Sequence, residues 1–199
     1  MRQVVAIHGG TSFDSYDGYL DFLRTREVSR ERLSYGQDWK ANLGSDLGES
    51  FEVFVPKMPN GANAKYLEWQ IWFERIAEVL NDDVILIGHS LGGIFLAKYL
   101  SENEFPKSIA LTVLVAAPFA DVSTDESLTE FALPASLDRF AEQSKRIVLF
   151  HSDDDPGVPV AEAQRYWEAL PQAELKLLSG QQHINHEHFP ELIKLLREF

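Results

Sequence analysis

Cysteine is absent from the 199 residues. That excludes disulfides, thiolate metal centres, iron–sulfur clusters and a cysteine nucleophile together. Positive charge is scarce: 18 Lys and Arg stand against 31 Asp and Glu, a formal net charge of −13. Such a chain repels phosphate backbones and anionic lipid, so neither a nucleic-acid partner nor a membrane surface is expected. Long apolar runs are missing too. The longest lies near 109–120 and is broken by Thr112 and Pro118, far short of the roughly 20 residues needed to cross a bilayer. The opening run, 4–7, stops at His8-Gly9-Gly10. It is shorter than the apolar core of about 7–15 residues in a secretory leader, so a cytoplasmic location is expected.

What is present reads as ordinary globular sequence, 45% hydrophobic and 25% charged. A chain of this length buries roughly 70% of its exposable surface, enough for a core without staples. One domain over 1–199 is the expectation. Repeats and low-complexity tracts are not seen.

Short, nearly continuous apolar runs recur at 4–7, 52–55, 84–87, 111–115, 147–150 and 175–178. Strands buried on both faces of a parallel sheet read this way. Helical spacing fills the gaps. Trp69, Trp72, Phe73, Ile76 and Leu80 form one stripe over 65–80. Further helices are expected around 94–100, over 161–170, and from 189 to the end. The alternation predicts an α/β class fold: a three-layer α/β/α sandwich on a mostly parallel sheet of about six strands.

The rhythm breaks between the first two strands, where more than 40 residues intervene, too many for a simple connection. Helical stretches at 13–28 and 38–47 flank a charged patch at 24–32. This predicts a helical excursion over the sheet edge, and its span 12–42 could serve as a lid. A polar stretch at 121–130 predicts an exposed loop or short helix.

Chemistry concentrates where the third strand hands over to a helix, at Gly88-His89-Ser90-Leu91-Gly92. A G-x-S-x-G at a strand-to-helix turn holds its serine in a strained backbone conformation with Oγ exposed. Side chains at the two glycines would collide with neighbouring backbone. The positive end of the helix dipole and the Leu91 N–H then face the place where an oxyanion would form. Ser90 is the candidate nucleophile. A phosphate loop is the competing reading, but its G-K-[ST] ending is missing.

A serine needs a base, and the base needs a carboxylate to orient it. In hydrolases built on this elbow the partners follow in the order Ser, acid, His. Of six histidines, His89 sits inside the elbow, His8 ends the first strand and His151 ends the fifth. His183, His186 and His188 follow the sixth strand. His183 is nearest the strand end and is the candidate base. After the fifth strand come Asp153, Asp154 and Asp155, with Pro156 and Pro159 stiffening the chain behind them. Asp155 is the chosen acid, and Asp153 and Asp154 are its alternatives. The second oxyanion donor is expected after the first strand, from Gly10 or, next, Thr11.

These residues resemble a family. Ser90 in its elbow, Asp155-Pro156 followed by Val158-Pro159, and His183 shortly before Phe189 are similar to the small α/β-hydrolases. The resemblance is to the compact serine hydrolases of the retinoblastoma-binding protein nine and YdeN type. Met58-Pro59-Asn60 followed by Trp69, and Ala116-Ala117-Pro118 after the fourth strand, fit that group. The resemblance spans most of 1–10 and 50–199. It implies a Ser90–Asp155–His183 triad, no large lid and no cofactor. Two features depart from it: Gln182 stands where a glycine is common, and the 12–42 excursion is long.

The expected reaction is acyl transfer to water. The substrate would be a small molecule with an ester, thioester or activated amide, attacked to give an acyl-enzyme. Phe13, Tyr16, Phe119 and Phe131 are expected to wall an apolar acyl pocket. Two alternatives stand beside this: a non-catalytic binding or scaffold protein on the same fold, and a metal-dependent hydrolase using His183, His186 and His188.

Overall fold

The computed structural model describes residues 1–30, 38–121 and 126–199. The charged patch at 24–32 and the polar stretch at 121–130 fall partly on 31–37 and 122–125, which lie outside the described residues. All six expected strands form: β1 (Arg2–Ile7), β2 (Phe51–Phe54), β3 (Val84–His89), β4 (Ile109–Val115), β5 (Ile147–Ser152) and β6 (Glu174–Leu178). They build one parallel sheet in the order β2-β1-β3-β4-β5-β6.

Seven α helices are described: α1 (Tyr16–Thr25), α2 (Trp39–Leu47), α3 (Tyr66–Ala77), α4 (Leu91–Glu102), α5 (Asp138–Gln143), α6 (Val160–Ala169) and α7 (Pro190–Leu196). Helices α3, α4, α6 and α7 fall on the expected spans within a few residues. The excursion after β1 contributes α1 and α2. Asp38 caps α2 by accepting from Lys40 N–H, and Gly48, with φ 78°, ends it.

Alternation along each strand divides the core into two layers. Val5, Ile7, Leu86, Leu114 and Leu149 face α3 and α4, with Phe140 of α5 and Tyr166 of α6 in the same cluster. Val4, Ala6, Ile85, Ile87, Val113, Val115, Val148 and Phe150 face α2 and α7 through Trp39, Leu43, Leu192 and Leu196. Both sheet faces are therefore covered, which is why strands β3, β4 and β5 read as continuous apolar runs.

The chain leaves β1 toward β2 on one side and returns to β3 on the other. In open parallel sheets, ligand crevices form at the carboxyl ends of strands where the order reverses in this way. The loop 8–15 and the β3–α4 turn meet at that point.

Candidate active site

Ser90 stands between β3 and α4 with φ 54° and ψ −123°, a conformation side chains rarely adopt. The conformation is held from three sides. Ser90 N–H donates to Val115 O of β4 at 2.8 Å, and Ser90 O accepts from Gly93 N–H and Ile94 N–H. A Cβ on Gly92 would lie 2.5 Å from Ile7 O and 2.6 Å from His8 O, at the end of β1. A Cβ on Gly88 would run into the backbone of Gly92 and Gly93. The glycines of the elbow are thus required by close approach of backbone to backbone.

The three adjacent aspartates go three ways. Asp155 Oδ2 accepts from His183 Nδ1 at 2.7 Å, while its Oδ1 accepts from Gly157 N–H and Val158 N–H at 2.9 Å each. Its side chain is fully buried. Burial opposes ionisation of Asp155, but the imidazole and the two N–H groups outweigh it and lower the carboxyl pKa. Asp154 Oδ1 instead accepts from Ser152 Oγ and from Gln182 N–H. Asp153 Oδ2 accepts from Ser179 Oγ. Behind Asp155, buried His151 donates from Nε2 to Val158 O at 2.8 Å, tying down the same turn.

His183 lies on the loop after β6, flanked by Gln182 and Ile184 at φ 47° and 51°. Gln182 therefore occupies a left-handed position, the conformation that makes glycine common there. Ser90 and His183 line one cavity of about 500 Å³. Among the described residues, neither Ser90 Oγ nor His183 Nε2 has a hydrogen-bond partner. Such contacts are often long in unliganded sites and tighten on binding.

Gly10 and Leu91 line the same cavity. Their N–H groups have no protein acceptor among the described residues. Thr11 N–H is taken by Gly61 O at 2.9 Å, which leaves Gly10 as the candidate from that loop. His8 forms part of the wall. Its Nε2 accepts from Met58 N–H at 2.9 Å, so its Nδ1 carries the proton and donates to Gly9 O.

The expected aromatic wall does not form. Phe131 packs between Tyr66 and Trp69, Phe119 against Tyr166, and Phe13 against Tyr19 and Phe22, while Tyr16 is exposed. The apolar lining is instead Leu91, Pro118, Leu128 and Val158. Ring direction depends on which neighbours offer a packing surface, which spacing along a chain does not reveal. The three late histidines do not converge either. His183 turns to Asp155, His188 donates to Asp46 at 2.8 Å, and His186 offers its carbonyl to Trp39 N–H. Among the described residues, no three His, Asp or Glu side chains are grouped to hold a metal ion.

Among the polar cavity residues that sequence reasoning missed are Asp38 and Lys40, at the start of α2. A polar pair in an inserted helix carries no signal of where that helix docks.

A family profile described as serine hydrolase matches residues 32–198. The chain belongs to the serine hydrolase family. The match contains the elbow, the three aspartates and His183. This serine hydrolase is 25% identical over 149 residues to the rat serine hydrolase RBBP9, covering 74% of this chain and 77% of that protein. It is 22% identical over 148 residues to the protein YdeN of Bacillus subtilis, covering 73% and 77%. The crystal structure of the B. subtilis ydeN gene product superposes with a TM-score of 0.71 at 18% identity, over 100% of this chain and 98% of that one. The meta-cleavage product hydrolase of Pseudomonas fluorescens IP01 superposes with a TM-score of 0.64 at 17% identity, over 100% and 90%. Fold and family together make this an α/β-hydrolase of the RBBP9 and YdeN type. No helix among the described residues is long and apolar enough to cross a membrane.

Proposed function

We propose that this serine hydrolase cleaves an ester, thioester or activated amide of a small acyl substrate through an acyl-enzyme. Ser90 is the nucleophile, His183 the base and Asp155 the acid. The observation that carries this reading is the 2.7 Å contact from His183 Nδ1 to the buried Asp155 Oδ2, on the rim of the cavity that Ser90 also lines. The carboxylate fixes the Nδ1–H tautomer and leaves Nε2 as a lone pair able to take a proton.

Ser90 Oγ attacks the carbonyl carbon as its proton passes to His183 Nε2. The oxyanion is held by the N–H groups of Leu91 and Gly10. His183 returns the proton to the leaving oxygen, sulfur or nitrogen, and the acyl group remains on Ser90. Water then attacks that ester as His183 takes its proton; the acyl–Oγ bond breaks, His183 returns the proton to Ser90 Oγ, and the free acid departs. The short aliphatic lining suits a small acyl chain better than a long one.

A fluorophosphonate probe tests the reading. The wild type is expected to be labelled on Ser90 and Ser90→Ala to be unlabelled. An undiminished adduct on Ser90→Ala would remove the nucleophile assignment. In a p-nitrophenyl ester series, kcat/KM is expected to be highest for short chains.

A further inference from the structure

Lys40 is a buried cation in the cavity wall to which the proposed mechanism gives no task. It is 7% exposed. Its ammonium lies 2.6 Å from Asp38 Oδ2, 3.3 Å from His89 Nδ1 and 4.6 Å from the centre of the Trp39 ring. Two of the three N–H donors of the ammonium are taken by Asp38 and His89, and the charge lies over the Trp39 ring. The partners of Lys40 among the described residues are thus all within the protein.

His89 passes the contact on. Its Nε2 lies 2.9 Å from His183 O. A carbonyl only accepts, so Nε2 carries the hydrogen and Nδ1 presents a lone pair to Lys40. Protonating His89 would set two cations 3.3 Å apart. His89 is therefore a neutral donor locked in one tautomer, and its ring sits 5.0 Å from that of His183. The first turn of α2 holds the same loop at two further points. Trp39 Nε1–H donates to Ile184 O at 2.9 Å and Trp39 N–H to His186 O at 2.7 Å. From the other side, Ser152 Oγ and Asp154 Oδ1 accept from Gln181 N–H and Gln182 N–H.

We propose that Lys40 is a positioning residue for the catalytic base: through neutral His89 it holds the His183 backbone. This rests on the reading of His183 as base. The excursion after β1 then serves as the seat of the base's loop, whatever else it covers.

The experiment compares wild type, Lys40→Met, Lys40→Arg and Lys40→Gln on a short p-nitrophenyl ester, with fluorophosphonate labelling alongside. In Lys40→Met kcat is expected to fall about tenfold or more from loss of positioning, with KM changed by less than about threefold. Lys40→Arg, still a cationic donor, is expected to recover most of that loss. If Lys40→Met shows no folded transition on heating, Lys40→Gln, which loses the ion pair to Asp38, is read for the same fall in kcat at near-constant KM. A wild-type enzyme labelled on Ser90 together with wild-type kcat in the folded neutral variant overturns the Lys40 inference alone. So does a loss carried by KM with kcat unchanged. A wild type that cannot be labelled overturns the triad, and the inference with it.

Discussion

Asp153, Asp154 and Asp155 carry one charge type at three consecutive positions, yet they hold a serine, a loop backbone and an imidazole respectively. Their order along the chain could not separate them. The partners that do so, Ser179, Gln182 and His183, lie well over 20 residues away and arrive only when β6 pairs with β5. The assignment of Asp155 followed from the stiff turn behind it, and that turn supplies the two N–H groups on its Oδ1. A graded outcome is expected on changing each to Asn and measuring ester kcat/KM. Asp155→Asn removes the acceptor that fixes the His183 tautomer and should lose about 10³–10⁴-fold. Asp154→Asn keeps an acceptor oxygen but loses its charge, and should lose far less. Asp153→Asn, whose side chain among the described residues bonds Ser179 alone, should stay within about twofold. Full activity in Asp155→Asn would return the choice of acid to its neighbours. Ser90 and His183 were easier to read, because an elbow motif and a position after the last strand are local facts. Lys40 was not legible, since nothing near residue 40 says that the β3–α4 turn will lie beside it.

Among elements, legibility followed burial. The six strands stood out because helices on both faces demand unbroken apolar runs. Helix α5 did not stand out: six residues with a single buried side chain, Phe140, leave no periodic stripe. The β3–α4 unit depends on close approach to β1, and two glycines separate that demand from ordinary helix propensity. Gly92→Ala would press a methyl group onto Ile7 O and His8 O, backbone atoms with no room to yield. It should cost about 1–3 kcal/mol in stability, as overpacked core sites do, and slow labelling of Ser90, since the displaced strand end carries Gly9 and Gly10. Gly44→Ala, inside α2, meets only Val53 Cβ at an ordinary 3.7 Å. It should stabilise by about 0.5–1 kcal/mol through helix propensity. Chemical denaturation of the pair checks both signs. A Gly92→Ala protein as stable as wild type would mean that the elbow is looser than its contacts imply.

Across the whole molecule, stability should respond to pH through two histidines acting in separate windows. His89 is buried beside Lys40 and His183, and burial first, then those neighbours, depress its pKa well below the ordinary 6.5. Below about pH 6.5 the unfolded chain binds a proton there that the folded chain refuses, so stability falls with acid, at up to about 1.4 kcal/mol per pH unit for one such group. His188 acts the other way. Its bond to Asp46 raises its pKa above 6.5, so its contribution is complete below that value and fades as pH rises through the folded pKa. His188 is exposed, so solvent screening keeps its contribution small. The carboxyls of Asp154 and Asp155, both lowered from 3.8, act only in stronger acid. The stability maximum is therefore expected near neutrality, with the steeper flank on the acid side. Thermal unfolding across about pH 5 to 8 reads this. His89→Asn keeps an amide donor for His183 O but cannot titrate, so it should flatten the acid flank even if it lowers the peak. An acid flank as steep in His89→Asn as in wild type would place the sensitivity elsewhere and would argue against a neutral His89 in the folded protein.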